Sequence, residues 1–492
     1  MYPEVKQIQV FRMGIDQSIN TFFEPVSTTV SSIVFYSVPL GADLDVKLIL
    51  ILLVSAALFF SLYLGFIQFR YFKHAIDLVR GKYDKDDSAD GQINRFQALA
   101  TSLSGTVGLG NIAGVAVAVS VGGPGAVFWM IVMGLFSMAT KFAEVMMGVK
   151  YRRHADPDHP EEISGGPMYY LREAFENRNI PYLGPIVAAL FAFACICGSI
   201  GGGNMFQANQ AYFQLVNVTG GEAGFWGDKG WLFGLGLAFA VGLVIIGGIK
   251  SIAAVASKLV PVMGLVYIIA GFIVIGIHFA NIPAALVTII TEAFSLQAGI
   301  GGLLGGILVG VQRAAFSNEA GLGSAAIVHS TAKTDSAVSQ GFVGMLGPFI
   351  DTVIICTVTA LVIVISGVYS EGGSVEGVEL TSRALASGIS WFPYVLALTV
   401  FLFAYSTLIT WSYYGTKAVT FLLGEKTWIE LSFKLFFCGC IVVGASVTLD
   451  QLINFSDAMI LAMGIPNIIG LYLLAPEIKK DLKAYIEKLK AA

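Results

Sequence analysis

Two short stretches of this chain combine residue types that can bind an ion and a small zwitterion. The first reads Ala100-Thr101-Ser102-Leu103-Ser104-Gly105-Thr106-Val107-Gly108-Leu109-Gly110-Asn111-Ile112-Ala113-Gly114. The second reads Arg313-Ala314-Ala315-Phe316-Ser317-Asn318-Glu319-Ala320-Gly321-Leu322-Gly323-Ser324-Ala325-Ala326. Each lies in an apolar run, yet each mixes glycine with Ser, Thr and Asn. Glycine costs about 1 kcal/mol relative to alanine inside a helix, and hydroxyl and amide side chains offer the backbone other partners. A helix of that composition unwinds. N–H groups freed at a half-helix N-terminus suit an anion such as a carboxylate, and carbonyls released just before a break suit a hard cation that prefers oxygen. Gly108-Leu109-Gly110-Asn111 can therefore donate to a carboxylate. The carbonyls around Ser104 and Val107, joined by hydroxyls from another span, can hold Na⁺.

Such hydroxyls stand in Phe403-Ala404-Tyr405-Ser406-Thr407-Leu408-Ile409-Thr410-Trp411, where Thr407 and Trp411 share a face at i, i+4. Ser406 and Thr407 can equally bond back to their own helix. Asn204, Gln207, Asn209 and Gln210 follow a Gly201-Gly202-Gly203 run; amides in an apolar span are costly unless paired, so they line a pocket or bond neighbouring helices. Gln207 shares a face with Asn204 and with Gln210. Arg313 and Glu319 read as flanking the second break on either side, and Asp351 lies in another apolar run. For Arg313 and Asp351 an internal ion pair or helix-end contact competes with a binding role. Lys141 and Glu144 read as structural. The five cysteines lie within apolar runs without disulfide or zinc spacing, and the five histidines are dispersed, so an intramembrane enzyme lacks its nucleophile, base or metal cluster.

These stretches sit in a chain of 492 residues, 56% hydrophobic and 13% charged. Soluble proteins carry roughly 25% charged residues, so a globule of this size could not solvate itself. A cytosolic enzyme, a nucleic-acid binder and a disordered chain are excluded. Runs of about 20 apolar residues cross the hydrocarbon core as helices, and eleven are expected: 47–69, 96–121, 124–148, 185–216, 231–249, 258–279, 301–330, 338–366, 391–422, 430–447 and 455–475. The runs do not alternate as transmembrane strands do. Most of the 29 Lys and Arg residues fall on one side, including Arg70, Lys73, Arg80, Lys150, Arg152, Lys417 and the cations of the C-terminal tail. The positive-inside rule makes that side cytoplasmic and places the N-terminus outside.

The two broken stretches also align with each other. Ser104 meets Ser317, Gly108-Leu109-Gly110 meets Gly321-Leu322-Gly323, Asn111 meets Ser324 and Ala113 meets Ala326, always at the same interval. Each opens a unit of five spans, and the units start on opposite sides of the membrane, which is the pattern of a secondary transporter with its site at the bilayer midplane. The expected fold is an all-α integral membrane protein with eleven transmembrane helices, a 5+5 inverted repeat with two broken helices plus one extra N-terminal helix. Its parts are a surface-lying extracytoplasmic segment over 1–46, the extra helix and a cytoplasmic linker over 47–95, the first repeat over 96–279, the second over 280–475 and a cytoplasmic tail over 476–492.

Three motifs then give a specific resemblance. Ser104-Gly105-Thr106-Val107-Gly108-Leu109-Gly110-Asn111-Ile112-Ala113-Gly114-Val115-Ala116, Gly122-Gly123-Pro124-Gly125-Ala126-Val127-Phe128-Trp129-Met130 and Ile163-Ser164-Gly165-Gly166-Pro167-Met168-Tyr169-Tyr170 together resemble the alanine/glycine:cation symporter family. Ile131 stands where family members usually carry a second Trp. The resemblance implies a fold similar to the neurotransmitter:sodium symporters in a cell (inner) membrane, and Na⁺- or H⁺-coupled uptake of small neutral amino acids, alanine and glycine foremost. An ion-independent exchanger or channel is the rival on the same scaffold. The resemblance also implies a sodium site formed by Ser104, Val107, Phe403, Ser406 and Thr407, with a second sodium near Thr106 and Asn111 left open. For the substrate it implies a carboxylate cradle at Gly108, Leu109 and Gly110 beside Thr106 and Thr407. Phe316 would close over the substrate, and Gln207 and Trp411 would keep its side chain small.

Overall fold

The computed structural model describes residues 24–25, 28–29, 31–32, 34–39, 45–83, 90–154, 162–295, 299–370 and 377–491. Most of the expected surface-lying segment 1–46 lies outside the described residues. The first half runs through α1 (Leu48–Tyr63), α2 (Phe72–Val79), α3 (Arg95–Thr106), α4 (Val115–Gly122), α5 (Gly125–Lys150), α6 (Pro167–Glu176), α7 (Leu183–Ile200), α8 (Phe206–Val218), α9 (Gly230–Ile245), α10 (Gly248–Ile277) and α11 (Ile282–Ala293). The second half comprises α12 (Gly299–Asn318), α13 (Ser324–His329), α14 (Ala337–Gly344), α15 (Thr357–Ser366), α16 (Val378–Ala386), α17 (Phe392–Leu423), α18 (Thr427–Ser446), α19 (Leu449–Ala462) and α20 (Gly464–Ala491). Strands form only two short antiparallel pairs among the described residues, Ser37–Pro39 with Asp45–Lys47 and Arg153–His154 with Ile163–Ser164.

Seven helical stretches are long and apolar enough to cross a membrane, and the bent pair formed by α3 and the segment Gly110–Gly122 makes an eighth. The other three expected spans fall short for visible reasons. The α1 and α9 helices have 16 residues each, about 24 Å of helix against a core of about 30 Å. The span over 301–330 is cut into helices of 20 and 6 residues. Exposed apolar side chains such as Phe239, Leu243, Leu265 and Phe272 cover faces that only lipid can solvate.

Inside the bundle, α5 packs against α12, α14 and α1, and α17 packs against α7, α8, α10 and α3. These contacts bring both broken stretches beside long unbroken helices. Several elements were not anticipated: α2 and α16 are short amphipathic pieces, α11 follows α10 outside the expected spans, and the motif 163–170 is not a plain loop but a strand leading into α6, whose first position is Pro167. Proline suits that position because its missing N–H would be unsatisfied there anyway.

Candidate functional site

The first broken stretch starts firmly. Asn94 caps α3 by accepting from the Gln97 N–H at 2.8 Å, while the Gln97 side chain accepts from the Asn94 N–H at 3.0 Å, the reciprocal arrangement of a capping box. The helix ends at Thr106. Val107 leaves helical geometry with ψ of 87°, residues 107–109 are non-helical, and a π-helical turn, Gly110–Gly114, leads into α4. The two halves meet at 53°. The second break spans residues 319–323, where Glu319, Gly321 and Gly323 have φ of 56°, 88° and 82°. Glycine takes that region freely, whereas a left-handed Glu costs about 1–2 kcal/mol and must be held by its neighbours. Glu319 therefore stands within the break and does not flank it, and Arg313 lies inside α12.

Around the first break four of the five candidate cation ligands, all but Val107, are linked by hydrogen bonds. The Thr407 hydroxyl donates to the Ser104 carbonyl at 3.0 Å, the Ser104 hydroxyl to the Ser406 carbonyl at 2.7 Å, and the Ser406 hydroxyl to the Phe403 carbonyl at 2.9 Å. Ser104, Phe403, Ser406 and Thr407 are all buried. Of the two α17 hydroxyls, Ser406 bonds back to its own helix and Thr407 crosses to α3. Carbonyl and hydroxyl oxygens within bonding distance of one another are a donor set that suits a hard cation. Thr106 behaves differently: its hydroxyl turns back to the Ser102 and Leu103 carbonyls of its own helix, at 3.4 Å each.

The N–H groups of the break point at side chains. Gly108 donates to Asn111 Oδ1 at 2.8 Å and Leu109 to Gln207 Oε1 at 3.1 Å. The Gln207 amide oxygen thus occupies the position that a carboxylate oxygen would take on the Leu109 N–H. Gly108 is wedged, because a methyl group there would lie 2.5 Å from Thr407 Oγ1 and 3.1 Å from Gln207 Oε1. Phe316 reaches the same region: its ring is edge-on to Phe206 at 5.4 Å, and a methyl on Gly110 would sit 3.5 Å from it. Trp411 packs so tightly on Gly203 that a methyl there would come within 2.3 Å of the indole. Of the amides Asn204, Gln207, Asn209 and Gln210, Gln207 alone bonds to the break. Asn204 donates to the Phe437 carbonyl, Asn209 donates to the Gly444 and Val447 carbonyls, and Gln210 Oε1 accepts from the Val378 N–H at 3.1 Å, so these three tie helices together.

Buried charged residues complete the arrangement. Asp351, on a π-helical segment Phe349–Cys356, accepts from Asn111 Nδ2 at 2.6 Å, Ser317 Oγ at 2.6 Å and Thr352 Oγ1 at 2.8 Å, and so joins the first broken span to α12. Glu144 of α5 accepts from the Gly321 and Gly323 N–H groups at 3.0 and 3.1 Å and from Asn467 at 3.2 Å, with Lys141 at 3.1 Å. This carboxylate supplies the anion that an open half-helix N-terminus favours. Arg313 pairs with Asp457 and lies over the Phe316 ring, 5.3 Å from its centroid. Being ionisable within a span marks Asp351 and Glu144 in the sequence; their partners on other elements carry no such mark.

A family model described as the sodium:alanine symporter family matches residues 38–492. The chain belongs to that family. Within it, the chain is 40% identical over 441 residues to the sodium/alanine symporter AgcS of Methanococcus maripaludis, covering 89% of this chain and 94% of the relative. It is 32% identical over 450 residues to a probable sodium/glutamine symporter, GlnT, of Bacillus subtilis, covering 90% and 89%. Among solved structures, MhsT in complex with L-phenylalanine superposes with a TM-score of 0.52, covering 80% of this chain and 99% of that one at 14% identity. That likeness is one of fold. The family consists of transporters, so this multi-pass membrane protein is a transporter and not an enzyme.

Proposed function

We propose that the chain carries out Na⁺-coupled symport of a small neutral amino acid, alanine or glycine, into the cell by alternating access. The observation that carries this reading is the Thr407 hydroxyl on the Ser104 carbonyl at 3.0 Å, beside N–H groups at Gly108 and Leu109 that hold amide oxygens. In the proposal Ser104, Val107, Phe403, Ser406 and Thr407 surround the transported Na⁺. The substrate carboxylate displaces Gln207 from the Leu109 N–H and lies along Gly108, Leu109 and Gly110, with Thr106 and Thr407 beside it. Phe316 covers the substrate, and Trp411 with Gln207 limits its side chain. Relatives named for sodium with alanine and for sodium with glutamine support a sodium-coupled neutral amino acid.

On this reading the helices form eleven spans, an extra one ahead of two inverted units of five over 96–279 and 280–475. The N-terminal segment 1–46 is extracytoplasmic, and the linker within 47–95 and the tail 476–492 are cytoplasmic. Cation and carboxylate bound side by side raise each other's affinity by the same factor. One Na⁺ per zwitterion moves one net charge, worth about 2.3 kcal/mol at 100 mV, which drives roughly fifty-fold accumulation.

Uptake of labelled alanine into proteoliposomes under an imposed Na⁺ gradient tests the proposal, with unlabelled alanine, glycine and glutamine as competitors. Accumulation that collapses when the gradient is dissipated supports it. Equal uptake without Na⁺ favours an exchanger or channel, and uptake that follows a proton gradient alone favours H⁺ coupling.

A further inference from the structure

The wall behind the first broken span is hollow. The α10 helix carries Pro261 in its interior, which removes a backbone hydrogen bond and bends the helix. Three residues later comes Gly264, with no side chain to fill the gap. Gly264 is buried, yet a methyl group placed on it meets no atom within 4 Å. It borders a cavity of about 470 Å³ whose walls include Leu99 and Leu103 of α3, Val107 just beyond it, Val260 of α10 and Ile350. That volume falls in the range of about 300–1,000 Å³ for small-molecule pockets.

The lining is apolar with one exception. Arg80, exposed at the end of α2, is the single charged residue in the wall among the described residues. Such a cavity gives no path to an ion or a zwitterion, because a charge entering it would lose its hydration for nothing in return. Hydrocarbon with a negative group at one end matches it. Arg80 also stands on the cation-rich side with Arg70 and Lys73, where anionic headgroups of the inner leaflet are drawn to basic residues.

We propose that this cavity takes one acyl chain of an anionic phospholipid from the surrounding bilayer, with its phosphate at Arg80. The proposal rests on the membrane placement given under the proposed function. The chain packs along Leu99 and Leu103, on the same half-helix that presents the Ser104 carbonyl to Thr407, and along Val107 just past its end, and it braces that half-helix against α10. A bilayer lipid thereby becomes a ligand of the moving part.

Native mass spectrometry of the purified full chain, titrated with phosphatidylglycerol and separately with phosphatidylcholine, tests this. The wild type should retain one phosphatidylglycerol in preference to phosphatidylcholine. Gly264→Leu, which puts an isobutyl group into the empty space, should weaken both lipids about tenfold. Arg80→Gln should weaken phosphatidylglycerol about fivefold and leave phosphatidylcholine unchanged; being at an exposed position, it keeps the test decisive should Gly264→Leu fail to fold. Equal binding of the two lipids by the wild type, or wild-type binding of phosphatidylglycerol by the folded variants, overturns the proposal. Lipid mass is read without transport, so absence of sodium-driven uptake would count against the transport reading alone.

Discussion

The indole N–H of Trp411 lies 3.1 Å from Glu319 Oε1 and 3.2 Å from the Gly105 carbonyl oxygen. One side chain of α17 therefore touches the end of the first half-helix and the strained residue of the second break. Glu319 is held from its other oxygen by Ser324 at 2.5 Å. Trp411→Phe keeps the packing on Gly203 and removes the donor. It should destabilise the protein by about 1–3 kcal/mol, the cost of leaving buried acceptors unpaired, and lower maximal uptake about tenfold. Thermal unfolding and initial-rate uptake check the two effects; a variant with wild-type uptake would show that the breaks do not need this tie.

The first break depends on the absence of a side chain at Gly108. Gly108→Ala drives a methyl against Thr407 and Gln207, an overpacking that costs about 1–3 kcal/mol, and uptake should be lost. Gly114→Ala is the control: it lies in the same broken span, where an added methyl meets no atom within 4 Å, and should keep wild-type uptake and melting temperature.

Eight of the expected spans and both breaks are legible in the sequence because apolar run length and glycine clustering are local. The match between Gly108-Leu109-Gly110 and Gly321-Leu322-Gly323 is enough to locate both interruptions. The roles of Glu144 and Asp351 are not legible, since each acts through backbone or side chains of other helices: Glu144 through Gly321 and Gly323, Asp351 through Asn111 and Ser317. Asn204, Gln207, Asn209 and Gln210 look equivalent in sequence, yet they follow or sit in the π-helical turn Gly201–Met205, and of the four Gln207 alone bonds to the break. Buried ion pairing likewise hides the partner of Arg313, Asp457, which lies far along the chain on α19.

Glu144 gives a stability prediction. Lys141 and Glu144 are both buried, and removing one member of a buried pair costs about 3–5 kcal/mol because the other charge is left uncompensated. Glu144→Gln should cost that much, and the double variant Glu144→Gln with Lys141→Met should recover part of it. A double-mutant cycle read by thermal unfolding in detergent measures the coupling; additive losses would contradict it.

A pH effect comes from His74, on α2 outside the spans. Its Nε2 lies 2.9 Å from the Tyr485 hydroxyl, and burial holds its pKa below 6.5, opposed by Asp77 and helped by Lys82 and Arg95. The unfolded chain protonates this histidine near pH 6.5 and the folded one only at lower pH. As pH falls through that window the unfolded state binds more protons, so stability declines. Well above pH 6.5 both states are neutral and the group contributes no slope. Melting temperatures between about pH 7.5 and 5 should fall for the wild type and fall less for His74→Gln.

The central claim is that Thr407 and the carbonyls of α3 hold the transported sodium. Uptake of labelled alanine as a function of Na⁺ concentration, compared among wild type, Thr407→Ser and Thr407→Ala in proteoliposomes, tests it most directly. With the hydroxyl kept, Thr407→Ser should need no more than about threefold more Na⁺ for half-maximal uptake. Thr407→Ala should need at least tenfold more, about 1.4 kcal/mol of lost ion binding. An alanine variant with the sodium dependence of the wild type would contradict the site.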